Sequence, residues 1–285
     1  MVEGRRLKPV TNVVSTKKEL IEALPLTGSV GLVMTMGALH AGHRQLVDAA
    51  RKENETVVVS IYVNPLQFAP GEDFDTYPRN LAQDLELLGD VDIVFAPTDE
   101  EMYPREPLVR VNPGEVATRF EGKTRPTHFA GVLQVVAKVL NLVRPDRAYF
   151  GQKDAQQLAL VRTMVADLDM RTNIVAVPIV REESGLALSS RNAYLSTGER
   201  NLALALVGSL RAAREAAAAG ASPEETEKVL SEALEAAEGV AVDYATIVSP
   251  DTFQRVSSNA KQGLGIVAAR VGPTRLIDNM EVTFG

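Results

Sequence analysis

The chain contains no cysteine. That absence removes disulfides, thiolate metal sites and any thioester or cysteine-nucleophile route, so acyl chemistry here must use another activated species. Long apolar runs are missing too. No stretch approaches the roughly 20 residues of a membrane span, and residues 1–10 lack the apolar centre of a secretory signal. A cytoplasmic location with no membrane partner is therefore expected. Positive charge is in the minority, with 30 Lys and Arg against 37 Asp and Glu, a formal net charge of −7 and a pI near 5.2. This balance argues against nucleic acid as the main partner, and an anionic substrate must be drawn by local basic groups. There is no internal repeat and no Gly-x4-Gly-Lys-Ser/Thr string, so a P-loop is not the nucleotide site. What remains is ample: 285 residues, 45% hydrophobic, can fill one large or two ordinary domains.

Of three histidines, two fall in one string, T-M-G-A-L-H-A-G-H at residues 35–43, directly after the apolar run 30–34. A strand that ends in a glycine turn and then opens a helix presents backbone N–H groups and a positive dipole end, which together make a phosphate site. With a helix start near Leu39, His40 and His43 project from one side of the first turn. H-x-G-H so placed suggests nucleotidyl transfer, where electrostatic stabilisation of a phosphoryl transition state supplies most of the catalysis. Short motifs are loose, and a lone histidine is more often structural. Here the string precedes an amphipathic segment, 44–51, with Leu46, Val47 and Ala50 on one side.

Strand-like and helix-like segments alternate over the first ~180 residues in the manner of a parallel α/β sheet. The β-branched run 56–63 reads as a central strand. Then come a loop at 64–80, a helix at 81–88, a strand at 91–95, a long Gly/Pro-punctuated stretch at 97–129 and a helix at 131–143. A strand at 148–150 leads into Gly151-Gln152-Lys153-Asp154, a second strand-to-helix turn, followed by a helix at 155–167 and a strand at 173–177. Beyond 180 the texture changes. Capping boxes at Ser196–Glu199 and Ser222–Glu225 open two helices, and strands follow at 240–248, 265–271 and 275–282. The expected architecture is α/β: a parallel sheet in residues 1–179, then a smaller α+β domain in 180–285.

Turns at the C-terminal ends of parallel strands are expected to face one crevice. Lys153 is a point charge suited to ATP phosphates, although a lysine beside an aspartate is usually a surface pair. Ser189, Ser190 and Arg191 can grip a polyphosphate as a lid, or simply form a hydrophilic hinge. Gln67 and Gln157 can hold a carboxylate or hydroxyl without adding charge.

Taken together and in this order, T-M-G-A-L-H-A-G-H, S-I-Y-V-N-P-L-Q-F, R-P-T-H-F-A-G-V, G-Q-K-D-A-Q-Q and L-S-S-R-N closely resemble the pantoate–β-alanine ligase family, over nearly the whole chain. The resemblance implies joining of pantoate to β-alanine through a pantoyl-adenylate, with ATP and magnesium, releasing AMP and pyrophosphate. It implies a Rossmann-like ATP- and pantoate-binding domain with helices on both faces, a C-terminal lid and dimer-associated domain, and a homodimer. By position, Met36, Gly37, Ala38, Leu39, His40, Ala41, Gly42 and His43 line ATP. Gly151, Gln152, Lys153, Asp154, Val180, Leu188, Ser189, Ser190 and Arg191 complete that site. Catalysis falls to His43, His40 and Lys153. Gln67 and Gln157 bind pantoate, with Gln67 also near β-alanine; the magnesium ligands stay unassigned.

The chain departs from the family pattern at Met34, Gln152, Ala155 and Leu188, where proline, glutamate, tyrosine and methionine are usual. Gln152 lacks a charge, which puts any metal or ribose role of that side chain in doubt. His128 lies in the long loop and reads as structural or as a subunit contact. Two other readings compete: another H-x-G-H nucleotidyltransferase, and a nucleotide-binding regulator without chemistry. Intact His40, His43 and Lys153 weigh against the regulator.

Overall fold

The computed structural model describes residues 11–69, 71, 72 and 74–285. The amino-terminal stretch 1–10, read above as lacking a signal-peptide core, lies outside them. In chain order the first elements are β1 (Asn12–Val14), α1 (Lys17–Ala23), β2 (Val30–Thr35), α2 (Ala41–Glu53), β3 (Thr56–Ile61), α3 (Leu81–Leu88), β4 (Ile93–Phe95) and α4 (Asp99–Met102). Next come α5 (Glu121–Thr124), α6 (His128–Val143), β5 (Arg147–Gly151), α7 (Ala155–Asp167) and β6 (Asn173–Val177). The chain closes with α8 (Thr197–Ala218), α9 (Pro223–Glu235), β7 (Val240–Val248), β8 (Gln262–Val271) and β9 (Thr274–Thr283).

Two compact units result. The first holds the chain as far as Pro113 with Thr127–Phe150 and Met164–Val177; the second holds Gly114–Pro126, Gly151–Thr163 and Pro178–Gly285. The sequence pattern divides the chain at 179/180, whereas the contacts also gather 114–126 and 151–163 with the C-terminal segment.

In the first unit, six strands run in the order β1-β4-β3-β2-β5-β6, with parallel pairing from β1 through β5. The order reverses between β2 and β5, and such a switch point is where open α/β sheets bind ligands, at the carboxyl ends of the strands. Leu32, Val33, Val57, Val58 and Val59 are all fully buried, so β2 and β3 are covered on both faces. One face packs on Leu46, Val47 and Ala50 of α2 and Leu88 of α3. The early β1 and α1 escape the sequence reading: β1 is only three residues long, and α1 is marked by a Thr16–Glu19 capping box.

In the second unit, β7, β8 and β9 form an antiparallel sheet. Leu206 and Leu210 of α8 and Leu230 and Leu234 of α9 share a core with Ile247 and Val267 of the sheet. Both expected capping boxes are present, at Ser196/Glu199 and Ser222/Glu225. Arg275 ties the 114–126 segment to the sheet through Glu121, at 2.6 and 2.7 Å, and also meets Asp243.

Candidate active site

β2 ends at Thr35, and the chain reverses through Gly37 (φ +86°) and Ala38 (φ +51°) before α2 begins at Ala41. The helix start lies two residues later than the expected Leu39, which changes the role of His40: it caps the helix instead of belonging to it. His40 Nδ1 accepts from the Gly42 N–H at 3.1 Å, and His43 Nδ1 accepts from the His40 N–H at 3.3 Å. The rings lie 4.2 Å apart. Two imidazoles thus make the reciprocal cap that a serine and a glutamate usually make. An accepting Nδ1 carries no proton, so in each neutral ring the proton resides on Nε2, which is a donor.

Ala38 in left-handed backbone costs on the order of 1–3 kcal/mol. Leu39 answers it: its N–H donates to Asp84 Oδ1 at 2.8 Å. Asp84, on α3, is 3% exposed, and a hydrogen bond to a charged acceptor contributes roughly 1.5–3 kcal/mol, enough to offset the strain. A side chain on Gly37 would bring its Cβ to 3.0 Å from Asp84 Oδ2. Met36, Gly37 and Asp84 also line a cavity of about 380 Å³ together with Tyr62, Arg79 and Asp99. Sequence reasoning missed Asp84 because its partner is 45 residues away and no local pattern marks it.

Gln67 ends a short 3-10 turn, Pro65–Gln67, capped by Asn64. The Asn-Pro step that starts this turn was a readable signal. Gln67 is 7% exposed, and its amide nitrogen meets the Met36 sulfur, so this structure joins two residues of the expected site. Asn64 Nδ2 donates to Gln67 Oε1 at 3.3 Å and to the Gly131 carbonyl at 3.0 Å, while Tyr103 OH donates to Asn64 Oδ1 at 3.2 Å. Burial, and then the charge of Asp99, push the Tyr103 phenol up to about 12, so it remains a donor at neutral pH. Tyr62 donates to Asp99 at 2.9 Å, and burial raises its phenol further.

His128 corrects an expectation. It opens α6 and does not lie in a loop. Its Nδ1 lies 3.0 Å from the Gln67 carbonyl, an acceptor, so Nδ1 carries the proton. Helix α6 extends three residues upstream of the expected start, with Gly131 inside it. A Cβ there would fall 2.1 Å from the Leu66 carbonyl oxygen, so only glycine lets the helix lie flush on the Gln67 turn.

The second unit resumes at Gly151, the last residue of β5, where the chain enters a 3-10 turn, Gln152–Asp154, and then α7. The Gln152 side chain donates to Glu281 at 3.4 Å, which a glutamate at this position could not do. Of the paired glutamines, Gln156 is committed to structure: it accepts from the Glu121 N–H and donates to the Val116 and Arg119 carbonyls. Gln157 is half-buried. Leu188 N–H donates to the Val180 carbonyl at 2.9 Å, and Arg181 bridges Ala187, so Val180 and Leu188 are brought together. Ser189 caps the turn Ser190–Tyr194 by accepting from the Arg191 N–H.

Among the described residues, no group of three or more His, Asp or Glu gathers to hold a metal, and no helix is long and apolar enough to cross a membrane.

The chain is 54% identical over 265 residues to the pantothenate synthetase of Acidothermus cellulolyticus, covering 90% of this chain and 86% of that one. It is 50% identical over 285 residues to that of Thermobifida fusca, covering 96% of each. The crystal structure of the Thermus thermophilus pantothenate synthetase superposes with a TM-score of 0.90 at 50% identity, over 95% of this chain and 99% of that one. A Francisella tularensis pantoate-beta-alanine ligase, solved in complex with beta-gamma ATP and beta-alanine, matches with a TM-score of 0.78 at 34% identity, over 95% and 97%. The family model described as pantoate-beta-alanine ligase matches residues 9–281. The chain belongs to the pantoate–β-alanine ligase family.

Proposed function

We propose that His40, His43 and Lys153 carry the ATP-dependent joining of pantoate to β-alanine, the activity of the family to which the chain belongs. The pantoate carboxylate oxygen attacks the α-phosphorus of ATP, the bond to the bridging oxygen breaks, and pyrophosphate leaves. The neutral amine of β-alanine then attacks the acyl carbon of the mixed anhydride, loses a proton and expels AMP, giving pantothenate. The His40 and His43 Nε2–H donors stabilise by hydrogen bonding, and the Lys153 ammonium neutralises, charge that grows on phosphate oxygens in the first step. The second step needs positioning and exclusion of water more than acid–base help. No enzyme nucleophile is required, in keeping with a chain that has no cysteine.

The observation that carries this assignment is the reciprocal cap, which orients both rings and fixes the proton of each on Nε2. Met36 to His43, Gly151 to Asp154, Val180 and Leu188 to Arg191 form the ATP-binding set in this reading. Gln67 and Gln157 hold pantoate, and Gln67 also meets β-alanine; the bonds to Asn64 and Met36 pre-orient the Gln67 amide. Magnesium fits as a hard cation arriving on the triphosphate, since a Mg²⁺ ion usually keeps several waters and takes only one or two protein carboxylates. It would supply charge neutralisation on the departing pyrophosphate. A homodimer working in the cytoplasm completes the reading, supported by the family resemblance. The test is pyrophosphate release with and without pantoate. Dependence on pantoate is expected; dependence on a different acceptor, or silence, would overturn the assignment.

A further inference from the structure

Lys153 is held in place by a residue more than a hundred positions away in sequence. Asn279, on β9, is 5% exposed. An amide nitrogen has two N–H bonds, and Asn279 directs its nitrogen to two consecutive carbonyls, those of Gln152 and Lys153, at 2.9 Å each. These carbonyls belong to the two peptide planes that flank the Lys153 Cα. Fixing both planes fixes φ and ψ of Lys153, and with them the direction in which its side chain departs.

Asn279 is itself immobilised. Its N–H donates to Asp278 Oδ1 at 2.8 Å, its carbonyl accepts from Arg181 at 3.3 Å, and its register opposite Ile266 is set by the β8–β9 ladder. Asp278 in turn makes a two-pronged pair with Arg181 at 2.7 and 2.9 Å. The partner of a flexible four-carbon lysine stem is therefore a rigid strand, which is the way to give a mobile point charge a defined origin.

We propose that Asn279 is a positioning residue that aims Lys153 for adenylate formation. The proposal rests on the reading of Lys153 given above. Misplacing a charge by about 1 Å costs on the order of 100-fold in rate. Removal of the amide is thus expected to act on the phosphoryl step, through Lys153 and not apart from it.

A double-mutant cycle tests this. The burst of pyrophosphate from ATP and pantoate, without β-alanine, is measured for the parent, Asn279→Ala, Lys153→Ala and the double variant, each first shown by circular dichroism and thermal melting to be folded. Asn279→Ala is expected to slow the burst roughly 10- to 100-fold in the parent background and by less than about twofold in the Lys153→Ala background. Asn279→Asp, of the same shape but able only to accept, is expected to lose at least as much. Should Asn279→Ala not fold, Asn279→Ser, which keeps one donor, takes its place in the cycle, with a smaller loss expected in the parent background and again less than about twofold in the Lys153→Ala background. Equal losses in both backgrounds, or a single variant as fast as the parent, would overturn the role of Asn279 alone. A Lys153→Ala burst equal to the parent's would overturn it by removing Lys153 from the reaction. A parent silent with pantoate would overturn the ligase reading itself.

Discussion

His40 and His43 each use one ring nitrogen to hold the backbone and leave the proton on the other, so in the proposed reading architecture and chemistry share a single side chain. The two roles can be separated. Asparagine is a strong N-cap and a loss of cap costs about 0.5–2 kcal/mol, so His40→Asn should match the parent in denaturant unfolding while His40→Ala falls short by that amount. Both should lose adenylate formation, because neither supplies the Nε2–H. His43→Ala is expected to nearly abolish the pantoyl-adenylate burst while the protein stays folded; a burst within about tenfold of the parent's would contradict a role in the transition state. For the glutamines, an apolar replacement leaves ligand groups unpaired at roughly 1–3 kcal/mol per contact. Calorimetric titration of Gln67→Ala and Gln157→Ala should then show pantoate binding weakened about 5- to 150-fold with ATP affinity little changed. The H-x-G-H pair was legible because strand, turn and helix lie within nine residues of one another. Asp84 and Asn279 were not, since a buried acid or amide acquires its meaning only from a partner that is distant in sequence.

The helix α6 and the turn Pro65–Gln67 act as a pair, pressed together at Gly131 and sewn by Asn64, Tyr103 and His128. Gly131→Ala forces the helix off the turn, and overpacking of this kind costs about 1–3 kcal/mol. It should lower stability by that amount in chemical denaturation and raise the KM for pantoate more than that for ATP. Tyr103 adds a pH dependence. Its phenol titrates near 10 when unfolded and at about 12 when folded, so the unfolded chain gives up its proton first. The stability it supplies is complete below about pH 10 and lost as pH rises toward 12. The stability difference between the parent and Tyr103→Phe should therefore shrink across that window; a constant difference would contradict the burial of the phenol. Elements with a local signature were readable, such as α3, α7 and the two capping boxes of α8 and α9. The start of α6 was not, because glycine reads as a boundary in sequence and serves here as a contact surface.

Two compact units account for how composition becomes function. Long β-branched runs build a sheet covered on both faces, and its change of strand order lies next to β2, the strand that feeds the histidine turn. The alternation of strand and helix made this sheet legible, as did the change of texture past 180. What local patterns could not reveal was that 114–126 and 151–163 cluster with the C-terminal segment, since that rests on pairs such as Glu121 with Arg275, 154 residues apart. The central claim is chemical: the carboxylate of pantoate is activated at the α-phosphorus of ATP, and not at the γ-phosphorus. Pantoate carrying heavy oxygen in its carboxylate tests it most directly, with the products of a complete turnover analysed by mass spectrometry. AMP bearing one heavy oxygen, alongside unlabelled pyrophosphate, is the predicted result; ADP with labelled orthophosphate would contradict the account.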